Sequence, residues 1–275
     1  MNLPANIFSG NWKEGHVQGI AVDTERGFVY YSFTTILLKT DLEGNAIASV
    51  ENFIGHLGCI AFDKETNRVY GSLELKHDVI GRGIMERTGI TLAEEDAFYL
   101  VSFDLSKLDR MGMDAERDGI VRMVYLPDVV EDFEATVTLD GKILSHRYAC
   151  SGIDGTARGP AWGAKDGKQY LNICYGVYGD VSRADNDYQV ILSFDTEGWW
   201  ETLAQPLCQD HMHESGASSA QKCFLYTGNT NWGVQNLEYD AYSGNWLVAV
   251  YPGKKPQFAN HSMFVIDGAK APVQG

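Results

Sequence analysis

Residues 15–33 read GHVQGIAVDTERGFVYYSF, and residues 55–73 read GHLGCIAFDKETNRVYGSL; the two stretches align without a gap at an offset of 40. Gly15/Gly55, His16/His56, Ile20/Ile60, Asp23/Asp63, Val29/Val69, Tyr30/Tyr70 and Ser32/Ser72 are among the identical pairs. A period near 40 points to a repeat architecture. Each copy reads as a hairpin, in which an apolar strand ends at Asp, a polar turn follows and an apolar-aromatic strand returns. Looser copies begin at Gly159 and Val234.

A third strand ending in Asp recurs at 36–41, 99–104, 190–195 and 263–267, and fourth strands read at 46–52, 121–126 and 199–206. Four-stranded antiparallel units in repetition are blades, so the pattern predicts an all-β β-propeller forming one domain over 1–275. Four blades are plain. Residues 133–149 and 215–228 each look like half a blade, giving an expectation of five blades, with six as the alternative. Ile7–Phe8 is expected as an outer strand closing the last blade. No window sustains a 3.6-residue apolar period, so helix is expected only as a turn or two within 78–97 or 105–118.

The Gly-His dipeptides at 15–16 and 55–56 resemble the start of a WD40 repeat, and the chain as a whole resembles bacterial β-propeller proteins. It departs from WD40 in that no Trp-Asp closes a third strand; the strands end in Thr-Asp, Phe-Asp or Ile-Asp. The resemblance implies the propeller superfold and no particular activity.

Thirty-seven Asp and Glu against 22 Lys and Arg give a formal net charge of −15 and a pI near 4.8. Such a chain lacks the basic footprint of a nucleic-acid binder and is repelled by anionic membranes. No apolar run approaches the roughly 18–20 residues of a spanning helix. Met1 to Gly10 has neither a basic n-region nor an apolar h-region, so it does not read as a signal peptide. The five cysteines, Cys59, Cys150, Cys174, Cys208 and Cys223, are scattered and form no CxxC pair. They are expected to be reduced and mostly buried, which fits a cytoplasmic protein.

Alternating strand direction sorts the connections onto two faces. One carries short turns. The other carries the long segments 76–97, 178–187, 207–215 and 252–261, together with the histidines, so a ligand site is expected there, at the mouth of a central channel. His16 and His56 hold equivalent repeat positions; they either bond to a neighbouring turn or point at a ligand. His211 and His213 would share one face of an extended strand and approach a divalent metal, the one cofactor suggested, with His16, His56 or His146 as third ligand.

Glu74, Lys76, His77 and Arg82 cluster where a polar or anionic ligand could be held, Glu74 as a catalytic carboxylate. His146 and Tyr148 are candidate acid or base, and Arg147 and Arg158 candidate partners of an acidic group. Trp232, with Asn229, Asn231 and Gln235 beside it, is the candidate for stacking on a sugar ring. No GxSxG elbow occurs, so nucleophilic hydrolysis is disfavoured.

These residues point to a polar small molecule, carbohydrate-like or acidic, with metal-dependent lyase, hydrolase or isomerase chemistry as candidates. The alternative is a non-catalytic propeller that binds a protein partner or glycan.

Overall fold

The computed structural model describes residues 3–91, 95–208 and 216–275. They fall into two compact units, Met1–Leu126 with Gly198–Gly216, and Pro127–Glu197 with Ala217–Gly275.

In the first unit, β1 (Gly19–Asp23), β2 (Phe28–Phe33), β3 (Ile36–Asp41) and β4 (Ala46–Glu51) form an up-and-down antiparallel blade. The repeat Asp makes its turns. Asp23 Oδ1 accepts the backbone N–H groups of Glu25 and Arg26, both at 3.1 Å, between β1 and β2. Asp41 Oδ1 does the same for Glu43 at 3.0 Å and Asn45 at 2.8 Å after β3. Such Asx turns bond the chain locally and need no tertiary support. Both faces of β2 are covered: Val29, Tyr31 and Phe33 pack with Leu38, while Tyr30 joins the main core cluster with Leu37 and Val50. A strand buried on both faces reads as a continuous apolar run, as β2 does.

The second blade comprises β5 (His56–Asp63), β6 (Arg68–Leu75), β7 (Ala97–Asp104) and β9 (Val121–Tyr125). Asp63 repeats the Asx turn on Glu65, at 3.0 Å. Between β6 and β7 stands α1 (Val79–Thr88), capped by Asp78, whose carboxylate accepts Gly81 N–H at 2.9 Å. It falls in the 78–97 window, one of the two that admit a helical turn. The other, the charged segment 105–118, is not helical. Its β8 (Met113–Asp114) crosses to the first blade and pairs parallel with β4, at Val50 and Glu51.

In the second unit, β12 (Cys150–Pro160), β13 (Gln169–Val177), β14 (Tyr188–Phe194) and β16 (Gln221–Tyr226) form one blade, and β17 (Thr230–Asp240), β18 (Asn245–Pro252) and β19 (Met263–Ile266) another. Trp246, Val234 and Leu237 fill the core of this unit with Ala157 and Cys174. Both inner strands bulge near their starts, β12 at Cys150/Gly152 and β17 at Asn231/Val234.

The fold is therefore all-β, of propeller type, but it has four blades among the described residues rather than five or six. Two expected half-blades and one expected strand turn out differently. Residues 133–149 are no half-blade: the chain forms α2 (Pro127–Glu134), then β10 (Thr136–Leu139) and β11 (Lys142–Ser145), which pair only with each other among the described residues. The strand in 215–228 is β16, which completes the third blade on β14. The segment 199–206 is not that blade's fourth strand. Trp199–Leu203 is a π-helical turn, and β15 (Gln205–Pro206) pairs with β9 in the first unit.

Ile7–Phe8 is in no strand. Ile7 packs with Trp12 and Val17 on the first blade, so it does not extend the last blade, which has three strands among the described residues. None of the five cysteines is in a disulfide; Cys59, Cys150 and Cys174 are buried. Among the described residues no helix is long and apolar enough to cross a membrane.

Candidate functional site

In the first unit, the register of β5 on β6 sets His56 opposite Glu74. His56 Nδ1 lies 3.6 Å from Glu74 Oε2, beyond hydrogen-bond reach, and this buried nitrogen has no hydrogen-bond partner among the described residues. The same Oε2 holds Lys76 Nζ at 2.8 Å, and Asp78 Oδ2 lies 3.5 Å from that ammonium. Glu74 and Lys76 are both buried. A buried ion pair of this kind survives because the attraction between its charges offsets their desolvation.

His77 follows, with its backbone N–H on Asp96 Oδ1 at 2.8 Å and its ring Nδ1 3.2 Å from the same oxygen. Arg82 is exposed on α1 and donates to the His77 carbonyl. His16 is exposed as well, with Gln18 Nε2 at 3.3 Å as its neighbour. Equivalent repeat positions thus have different surroundings, because β5 begins at His56 whereas β1 begins only at Gly19.

In the second unit the backbone is unusual at several of the residues that the sequence singles out. Among the described residues, eight that are not glycine have positive φ. Asn52, Asn67, Asp140 and Asn260 are of the types that tolerate it. The other four are His146 (67°), Tyr148 (57°), Ala149 (56°) and Trp232 (70°). Strain held outside ordinary turn chemistry clusters at ligand sites.

The His146 ring bonds through Nδ1 with the Phe133 carbonyl, and its centroid lies 4.4 Å from the Phe133 ring and 5.4 Å from Tyr178. Tyr178 meets Trp232 edge to face at 5.9 Å. Trp232 is 42% exposed, at the start of β17. Gln235 Nε2 donates to the Trp232 carbonyl at 2.8 Å and lies 3.3 Å from Asp154 Oδ2 on β12. Two residues that the sequence singles out, His146 and Trp232, therefore meet on a third, Tyr178, that it does not.

Arg147 is engaged by the chain's own acids, Glu131 Oε1 at 3.1 Å and Asp132 Oδ1 at 3.0 Å, and these carboxylates raise its pKa further. Tyr148 packs its edge on Phe224 at 5.1 Å, with Lys222 Nζ 5.7 Å from its ring. Arg158 is half-buried on β12, opposite Leu171.

Asp132 is fully buried, a residue that sequence reasoning misses. It accepts Lys222 Nζ at 2.5 Å and the Tyr175 hydroxyl at 2.8 Å besides Arg147. The one signal nearby is Pro127 at a helix start followed by apolar Val129, Val130 and Phe133, too short a run to show a period. Asn229 is buried and accepts Lys254 N–H at 3.1 Å, so it supports a loop and not the Trp232 ring.

His211 and His213 lie outside the described residues. Among the described residues no group of three or more His, Cys, Asp or Glu side chains is placed to hold a metal ion.

No protein-family model and no curated protein matches the chain. Among solved structures it is similar to a protein of unknown function from Bacteroides caccae, at 7% identity over 95% of this chain and 81% of that one, with a TM-score of 0.40. It is also similar to U3-55K, at 11% identity over 92% and 80% of the two chains and a TM-score of 0.34. The computationally designed Ika4 protein is similar at 9% identity over 96% of both chains, with a TM-score of 0.31.

Proposed function

We propose that the chain binds a polar, ring-shaped small molecule, carbohydrate-like in character, on the Trp232 face of the second unit. The observation that carries this reading is Trp232 itself: a large apolar ring left open to solvent on a left-handed backbone and backed edge-on by Tyr178. An indole held in that way offers a flat stacking face at little conformational cost. Gln235 and the Asp154 carboxylate stand beside it as groups able to bond ring hydroxyls. The reading is one of binding; His146 supports the platform by packing on Phe133 and Tyr178.

The test is calorimetric titration of the protein with neutral hexoses, hexuronates and their disaccharides. Truncating an aromatic anchor that a ligand covers costs about 2 kcal/mol or more, so Trp232→Ala should weaken a bound sugar about thirtyfold. Gln235→Ala should weaken it less. Sugar binding that ignores both substitutions, or no binding of any member of the panel, sinks the reading.

A second reading, a protein partner, is favoured by a separate observation in the same unit. On the outer strand β16, Phe224 and Tyr226 point to one side and are 48% and 59% exposed; Tyr188 lies 5.0 Å from Tyr226, ring to ring, and is exposed too. Contiguous exposed aromatics of this kind mark interaction surfaces. Phe224→Ser with Tyr226→Ser would abolish such an association and leave sugar titrations unchanged.

A further inference from the structure

A cleft of about 590 Å3 opens in the first unit where the start of β3, the end of β4, β8 and the last turn of α1 meet. This is a volume typical of small-molecule sites. Its walls carry three cations and three carboxylates. Asp114 and Arg117 are engaged with each other: Arg117 Nη2 donates to Asp114 Oδ2 at 2.8 Å, and Asn52 Nδ2 donates to the same oxygen at 3.0 Å. Glu51 Oε1 accepts the Ser49 hydroxyl at 2.6 Å.

Of the remaining charged groups, Lys13 is almost fully exposed and Glu51 is bonded to Ser49, which leaves Glu14 and Arg87, of opposite sign, without a hydrogen-bond partner among the described residues. The Glu14 side chain is only 13% exposed, and its nearest cation, Lys13 Nζ, is 4.0 Å away on a side chain that is 93% exposed. Among the described residues its carboxylate accepts no hydrogen bond. A largely buried carboxylate without donors is costly unless something else supplies them. Arg87, in the last turn of α1, has no side-chain partner among the described residues. Its position suits the negative end of the helix dipole, but that leaves its five N–H donors without an acceptor among the described residues.

The two leftover groups define the ligand. In a chain of net charge −15 a plain anion meets a repulsive field, whereas a molecule carrying both signs meets none on balance. We propose that this cleft binds a small zwitterion, a free amino acid or dipeptide, with its carboxylate on the Arg87 guanidinium and its ammonium on Glu14. The site belongs to the first unit and does not depend on the sugar reading of the second.

Calorimetric titration with L-leucine and glycyl-L-leucine tests it, against N-acetyl-L-leucine, which lacks the ammonium, and L-leucinamide, which lacks the carboxylate. Removing either charge-assisted hydrogen bond should weaken binding about tenfold or more, so both zwitterions should outbind both single-charge analogues by that factor. Arg87→Gln should weaken N-acetyl-L-leucine and leave L-leucinamide unchanged, and Glu14→Gln should do the reverse. Both substitutions keep a long polar side chain in place, and an unchanged thermal midpoint shows that the fold is intact. No binding by any of these probes, analogues that bind as tightly as the zwitterions, or zwitterion binding indifferent to both substitutions overturns the proposal.

Discussion

The Tyr175 hydroxyl donates to Asp132 Oδ2 at 2.8 Å, joining β13 to α2 through two side chains that solvent does not reach. Lys222 and Arg147 supply the opposing charge. Removing the carboxylate leaves two cations without their shared anion, and breaking a buried charged cluster costs about 3–5 kcal/mol. Asp132→Ala is therefore expected to lower the unfolding free energy by that amount, and Tyr175→Phe by about 1–3 kcal/mol. Urea unfolding of both variants and the double variant checks it; a loss under about 1 kcal/mol for Asp132→Ala would show that the cluster contributes little.

Two glycines in α1 predict opposite outcomes. A Cβ on Gly81 would sit 1.6 Å from the Lys76 carbonyl oxygen, whereas one on Gly83 meets nothing within 4 Å. Gly83→Ala should stabilise by roughly 0.5–1 kcal/mol, the ordinary helix preference. Gly81→Ala should destabilise, because the backbone of α1 must back away from the Lys76 carbonyl just past β6. Thermal unfolding of the pair reads both signs at once.

The Glu74–Lys76 pair should behave as a unit. Glu74→Leu alone removes the nearest countercharge of the buried Lys76 ammonium, leaving Asp78 at 3.5 Å, and should cost about 3–5 kcal/mol, while Glu74→Leu with Lys76→Met should cost distinctly less. Denaturant midpoints of the single and double variants decide this, and a double variant at least as damaged as the single would show that the pair is not the unit.

Stability should fall at both ends of the pH scale for separate reasons. Burial pushes Tyr30 up to about 12, with Arg26 acting in the opposite direction, and burial raises Tyr175 as well. Their unfolded counterparts ionise near pH 10, so the stability these protonated phenols carry is present below about 10 and lost as pH rises from there. At the acid end, Asp114 is held low by Arg117, Asp41 by Asn45 and Asp240 by Ser243. Their contribution is present above about pH 4 and disappears as pH drops through the lowered values. Asp114→Asn should flatten the acid limb and Tyr30→Phe the alkaline one in denaturation followed by circular dichroism.

What the sequence conveyed was what local chemistry decides. Asp23, Asp41, Asp63 and Asp240 bond to backbone two or three residues on, so their hairpins could be placed from residue type alone. The blade count depended on a choice that no local signal makes: whether β16 opens a new sheet or joins β14 across the intervening chain. The same holds for β8 and β15, strands of two residues that exist only because distant edges accept them. Residue type drew attention to Trp232, Glu74 and Lys76, but it suggested an external ligand for the last two, where the structure pairs them with each other. The burial of His56 beside an exposed His16 was not legible, since the repeat makes the two look alike.

The pairing of β15 with β9 fixes how this chain can be dissected. The ribosome delivers residues 127–197, most of the third blade, before Gln205–Pro206 arrives to finish the second. Neither unit is one contiguous stretch of polypeptide, so a gene truncated at Leu126 omits part of the first unit and a gene starting at Pro127 carries a piece of it. Splitting the protein cleanly calls for rejoining the two segments of each unit in place of a simple cut.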